Sequence, residues 1–142
     1  MVAPACRQSS DPVERVMAVL NYYRGNLISS DFGCGCLLGK VALEIPENQL
    51  LEKVSAGFNT WTAAVERSLQ GARPPLPPDV HLKSLSQFIL AVMEGAVMLS
   101  RAARSIEPFD AALLHVRSYL QQLAAPQPTT APCAQPANLR VL

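Results

Sequence analysis

Cys34 and Cys36 are one residue apart in the segment DFGCGCLLGKVALEI, Asp31 to Ile45, and three glycines fall within seven positions around them. Paired thiols and a glycine-rich run suggest three chemistries: a metal site, a redox switch or a phosphate loop. Structural zinc wants about four thiolate or imidazole ligands. The remaining candidates are Cys6, Cys133, His81 and His115, all distant in sequence, and the recurring C-x2-C spacing is absent. A redox role needs an exposed thiol of lowered pKa, which the start of a helix just after the pair would favour. The phosphate-loop reading fails on residue type. Val41 follows Lys40 where serine or threonine is required, and no strand pattern precedes the run. The alternative is packing: Cys36 as a small buried core residue, with glycines that let a short helix approach its neighbours.

Two other residue types stand out. Glu94 interrupts the apolar run FILAVMEGAVML, where a carboxylate is costly unless paired or wet. It either anchors a ligand's polar group or lies at a rim near Arg101 and Arg104. His81 and His115 have no serine or cysteine neighbour that would suggest nucleophile activation, so no catalytic constellation is present and no enzyme is expected. His115 is expected at a surface or interface.

Prolines divide the chain into the elements that must position these residues, because proline breaks helix interiors. In SSDPVE, Asp11 is placed as an N-cap, Pro12 as the first helical residue and Glu14 as the partner in a capping box. Val13, Val16, Met17, Leu20, Tyr23 and Leu27 follow at helical steps, until SSDFG ends the helix. A second helix is predicted over Gly35 to Leu43, limited by Pro46. A third runs from Glu47 to Gln70, with Leu50, Val54, Phe58, Trp61, Val65 and Leu69 on one face. Gly71 and a proline cluster stop it. The fourth is predicted from Val80 to Arg104. The fifth runs from near Pro108 to Ala124, with Phe109, Leu113, Val116, Leu120 and Leu123 aligned. No stretch alternates as a strand does. The expectation is one all-α domain over residues 11–124, a short extension over 1–10 and a disordered proline-rich tail over 125–142.

Composition agrees with this. A chain of 142 residues, 49% apolar, can bury one core. With 12 basic against 11 acidic residues and a net charge of +1, no nucleic-acid surface is indicated. The N-terminus lacks the charged and apolar regions of a signal peptide, and the run Phe88 to Leu99 is too short to span a bilayer. A cytoplasmic location with reduced thiols and no membrane partner is expected.

The fourth helix has apolar residues on two sides. Leu82, Leu85, Ile89, Val92, Ala96 and Leu99 form one stripe; Phe88, Ala91, Gly95, Met98 and Ala102 form a second, rich in small residues. The fifth carries Leu114 and Tyr119 outside its main stripe. Such helices are either central to a monomer or shared with a second copy, and the pattern favours a homodimer.

DFGCGCLLGKVALEI resembles the GCLLGN-type segment of the ligand-binding and dimerisation domain of TetR/AcrR-family transcriptional regulators. Lys40 stands where asparagine is usual. The preceding DPVERVMAVLNYYRGNL, the following ENQLLEKVSAGFNTWTAAVERSL, and LKSLSQFILAVMEGAVMLSRAAR with FDAALLHVRSYLQQL are similar to the family's adjoining helices. The similarity rests on the order and spacing of all five segments, from about Asp11 to Leu123.

The resemblance implies a five-helix, all-α TetR-type C-terminal domain that dimerises through a four-helix bundle of its last two helices. It implies a small apolar effector bound inside each subunit, with release from operator DNA as the outcome. An aromatic stripe at helical spacing is ordinarily core. With the family as context, Tyr23, Leu27, Phe58, Trp61, Val65, Ile89 and Met93 are the expected ligand-binding residues. Phe88, Ala91, Gly95, Met98, Ala102, Leu114, Arg117 and Gln121 are the expected dimer interface. For Glu94 the rim of that interface is favoured. No cofactor and no metal is expected. Only ten residues, with the single basic residue Arg7, precede the first helix. The family's helix-turn-helix is therefore expected to lie outside this chain, so operator DNA would be reached only through that absent domain. A different class of function also fits: a stand-alone helical dimerisation module without a ligand.

Overall fold

The structure, a computed structural model, describes Ser9 and residues 11–44, 47–71 and 75–125. It contains α1 (Pro12–Ser29), α2 (Leu37–Glu44), α3 (Asn48–Gln70), α4 (Leu82–Ala103) and α5 (Glu107–Ala124), with no strand among the described residues. The expected extension and tail lie outside the described residues apart from Ser9 and Ala125.

α1 starts where its capping residues require. The Asp11 carboxylate accepts the Val13 N–H at 2.8 Å, and Pro12 follows at the first helical position. The capping box does not form. The Asp11 N–H donates to Ser9 Oγ, and Glu14 instead receives the Arg117 guanidinium from α5. A long-range partner outcompetes the local one because Arg117 brings a full positive charge to the carboxylate. A second pair, Arg24 with Asp110, also joins α1 to α5, through two hydrogen bonds of 2.6 and 2.9 Å.

α4 is the centre of packing and touches α1, α3 and α5. Its Ile89 is fully buried among Val16, Leu20, Trp61, Val65, Phe109 and Leu120, which belong to one continuous core. By length and composition alone α4 could cross a membrane, but its buried face is occupied by the neighbouring helices. The expected stripes are regrouped at one residue. Leu99 is exposed and joins the outward face with Phe88, Met98 and Ala102. The buried side of α4 is centred further round the helix, on Ile89, Met93, Ala96 and Ser100.

Ser100 connects two elements. Its fully buried hydroxyl accepts the Phe109 N–H at 3.0 Å, so a side chain of α4 caps the first turn of α5. Between them, Arg104 ends α4 in a left-handed conformation, φ 47°.

α2 departs most from expectation. It has no buried residue, Leu37 and Leu43 are exposed, Cys34 is exposed and Cys36 is only half-buried. Cys36 is therefore not a core residue. The helix has eight residues and packs mainly on α3, so only one narrow side can be covered. Leu38 lies against the α-carbon of Gly57, where an added Cβ would stand 2.8 Å from Leu38 Cδ1. Gly39 faces α4, where an added Cβ would stand 2.6 Å from Glu94 Oε2. These two glycines set how closely the short helix approaches the bundle.

Candidate functional site

The turn between α1 and α2 shapes the site. Asp31 and Phe32 both have positive φ, 48° and 59°, which is uncommon for residues other than glycine. α4 holds this turn from beneath. Arg101 donates to the carbonyls of Phe32 and Gly33 at 3.2 and 3.3 Å, and Arg104 pairs with Asp31 at 2.6 Å. The turn then delivers Cys34, Gly35 and Cys36 across the α4 surface.

Two clefts meet under this segment and share Cys36 and Val97 as walls. The larger, about 450 Å³, lies between α2, α3 and α4; Gly39, Leu43, Phe58, Glu94, Met98 and Arg101 contribute to it. The smaller, about 260 Å³, lies beside α1 and includes Tyr23, Leu27, Ser30 and Cys34. Apolar walls with a few polar groups are the usual make-up of a small-molecule site.

Among the described residues, the buried side-chain atoms without a hydrogen-bond partner are Glu94 Oε1 and Trp61 Nε1. Burial raises the Glu94 pKa, and the adjacent Cys36 thiol partly opposes this. The Cys36 pKa is raised in turn, first by burial and then by Glu94. A raised thiol pKa means little thiolate, which is the opposite of what a redox sensor or metal ligand needs. The Tyr23 hydroxyl is also shifted upward by burial, with Trp61 opposing and Cys36 and Glu94 adding to the rise. Tyr23, Cys36 and Glu94 thus stand in the cleft walls, Cys36 beside Glu94, with Trp61 beside Tyr23 in the core behind them.

Glu94 is not at a rim with Arg101 and Arg104. Those guanidiniums are directed to the Asp31–Gly33 turn, and Glu94 is turned towards Gly39 and Cys36. Glu94 is thus a site residue that the sequence reading assigned elsewhere. The signal was present as a carboxylate in an apolar run, but only the tertiary structure shows which side of α4 it occupies.

The expected ligand-binding residues divide. Tyr23 and Leu27 line the smaller cleft and Phe58 the larger. Trp61, Val65, Ile89 and Met93 are buried in the core behind them. Residues missed by sequence reasoning are Ser30, Gly39, Leu43 and Val97, which line the clefts from the turn, α2 and α4. No periodicity marks a lining built from a turn.

The expected interface residues also divide. Phe88, Ala91, Gly95, Met98 and Ala102 share one face of α4, on which Met98 is 58% exposed. The Phe88 ring meets Tyr119 of α5 edge to face, 5.8 Å between centroids. Leu114, Arg117 and Gln121 recur with Asp110 at helical steps on another side of α5, the side that reaches α1. Arg117 is committed to Glu14 there, while Leu114 and Gln121 are exposed. His115 is exposed. Among the described residues no group of three or more His, Cys, Asp or Glu side chains is arranged to hold a metal.

Comparison with known proteins agrees with this architecture. Residues 12–115 match the family model described as "Transcriptional regulator LmrA/YxaF-like, C-terminal domain", a TetR C-terminal domain. HTH-type transcriptional regulators from two strains of Mycobacterium tuberculosis are each 26% identical over 127 residues, covering 84% of this chain. The chain spans 63% of the length of these relatives. The crystal structure of a TetR transcriptional regulator from Chloroflexus aurantiacus superposes with a TM-score of 0.70 at 28% identity, covering 83% of this chain and 62% of that one. These are regulators of transcription and not enzymes. The order of five helices, the DFGCGCLLGK turn against α4 and the family match over residues 12–115 agree: the chain belongs to the TetR family of transcriptional regulators and carries its C-terminal domain.

Proposed function

We propose that this chain is the effector-binding and dimerisation domain of a cytoplasmic TetR-type repressor, and that a small, largely apolar ligand in the clefts beneath α2 controls release from DNA by a head domain outside residues 12–124. The observation that supports it most directly is the cleft of about 450 Å³ closed by α2. Its floor is α4, and Met98 belongs both to this cleft and to the adjoining exposed apolar face of the helix. A ligand that moves α2 or the turn therefore acts on the helix that a second copy would grip. Arg101 and Arg104 connect that helix to the turn. Ligand binding then shifts the population between two subunit orientations, by as much as its affinity differs between them.

The second reading, a dimerisation module without a ligand, is favoured by the exposed α4 face alone. One experiment separates the two. Trp61, the single tryptophan, lies behind the clefts. Its fluorescence is titrated with a panel of apolar compounds small enough for the cleft, using wild type and Ala42→Phe. Ala42 is an exposed residue of the cleft wall, so the larger side chain narrows the cleft while leaving the core intact. Saturable responses in wild type that weaken in Ala42→Phe are expected. Responses absent from wild type, or identical in the variant, would favour the module without a ligand.

A further inference from the structure

The larger cleft contains a buried acceptor that is unpaired among the described residues, and it restricts what the ligand can be. Glu94 Oε1 and Trp61 Nε1 are buried side-chain atoms without protein partners. Glu94 lines the larger cleft together with Cys36, whereas Trp61 lines neither cleft and lies in the core beside Tyr23. Such groups normally have a partner, because leaving one unpaired costs about 1–3 kcal/mol. The charged groups around the cleft balance: Lys40 and Arg101 against Glu44 and Glu94. An anionic ligand would place like charge beside Glu94. A cationic one would place like charge beside Lys40 and Arg101 in the same walls. We infer that the cleft takes an uncharged, mainly apolar molecule carrying one hydroxyl group, which donates its hydrogen to Glu94 Oε1.

This rests on the effector-binding reading and adds the chemical class. Glu94 is the specificity-determining residue. Phe58, Leu43, Val97 and Met98 supply apolar contact that does not distinguish a hydrocarbon from an alcohol. Discrimination comes from the hydroxyl, as a site with an unpaired buried acceptor rejects an analogue that lacks the matching donor.

The test uses four compounds of one shape and the complete chain. The compounds are tert-butylcyclohexane, its alcohol, its carboxylate and its amine, none of which absorbs where Trp61 is excited. Each is titrated into wild type, Glu94→Gln and Glu94→Leu, and Trp61 fluorescence is followed. In wild type the alcohol should bind about tenfold or more tighter than the other three, the difference expected for one hydrogen bond to a buried acceptor. Glu94→Gln keeps a carbonyl acceptor and should retain part of this preference. Glu94→Leu should erase it, with the hydrocarbon binding at least as well as the alcohol. The inference is overturned if wild type binds the hydrocarbon, carboxylate or amine as tightly as the alcohol, or if the preference survives in Glu94→Leu. Either result leaves the cleft as an effector site of another class. Failure of all four to bind wild type would overturn the class and the cleft reading together.

Discussion

At the scale of single residues, Ser100 and Glu94 carry the consequences that differ most from their surroundings. The Ser100 hydroxyl is buried and accepts the Phe109 N–H, one of the donors that α5 cannot satisfy within its own first turn. Ser100→Ala removes this acceptor and leaves the donor buried. The expected loss is about 1–3 kcal/mol of unfolding free energy, read by urea denaturation. A loss within the error of the surface variants would mean that Phe109 finds another partner. Glu94 has the opposite character, since its ionisation is disfavoured in the folded state. Its folded pKa lies above the unfolded value, so the folded protein binds the proton more tightly. Stability contributed at this position is present in acid and declines as pH rises from the ordinary carboxylate range through the raised pKa. Glu94→Gln cannot ionise. Its stability relative to wild type should grow from acid towards neutral pH; a constant difference across that range would contradict the burial of Glu94. Asp110 runs the other way, because Arg24 holds its pKa down, but both partners are partly exposed and the contribution is correspondingly small.

At the scale of elements, the junctions matter more than the helices. The stripes of α1, α3 and α5 follow the periodicity read from sequence. Val13, Val16, Met17 and Leu20 on α1, and Phe109, Leu113, Val116 and Leu120 on α5, are all buried. The α4–α5 junction is strained at Arg104, which adopts the left-handed conformation that glycine accepts without cost. Arg104→Gly should raise unfolding free energy by about 0.5–1 kcal/mol by relieving this. The pair it gives up with Asp31 is exposed on both sides and contributes little. The measurement is thermal or urea unfolding, and a destabilised Arg104→Gly would show that the Asp31 contact, not the backbone, governs the junction. α2 was legible as a helix but not as the exposed wall of a cleft. Its apolar composition suggested burial, whereas eight residues against one side of a bundle cannot bury Leu37 and Leu43.

At the scale of the whole molecule, the outward face of α4 is the feature that a monomer leaves unexplained. Phe88, Met98 and Leu99 are exposed there with Tyr119 of α5 beside them, and small residues between allow close approach of a second helix. Gly95 offers a clean test. A Cβ added there meets nothing within 4 Å, so a side chain can be introduced without displacing a neighbour at its first carbon. Gly95→Phe should leave the helical signal and unfolding midpoint of the monomer unchanged while weakening self-association by tenfold or more, as blocking of a close-packed helix contact requires. Sedimentation equilibrium measures this. An unchanged mass distribution would rule out this face of α4 as the contact between copies.

The sequence by itself determined the class of fold, the number and order of the helices and most of the buried positions, because proline placement and apolar periodicity are local properties that survive packing. It also carried enough of the family pattern across five segments for the TetR resemblance to be read. The tertiary structure alone decided which side of α4 Glu94 faces, that Arg101 and Arg104 hold the Asp31–Gly33 turn, and that Ser100 caps a neighbouring helix. It also decided that Arg117 turns to Glu14 rather than outward. Each depends on the rotation of one helix against another. A shift of one residue changes the facing direction by more than a quarter turn, and residues separated by tens of positions then determine which polar atoms meet and which remain unpaired.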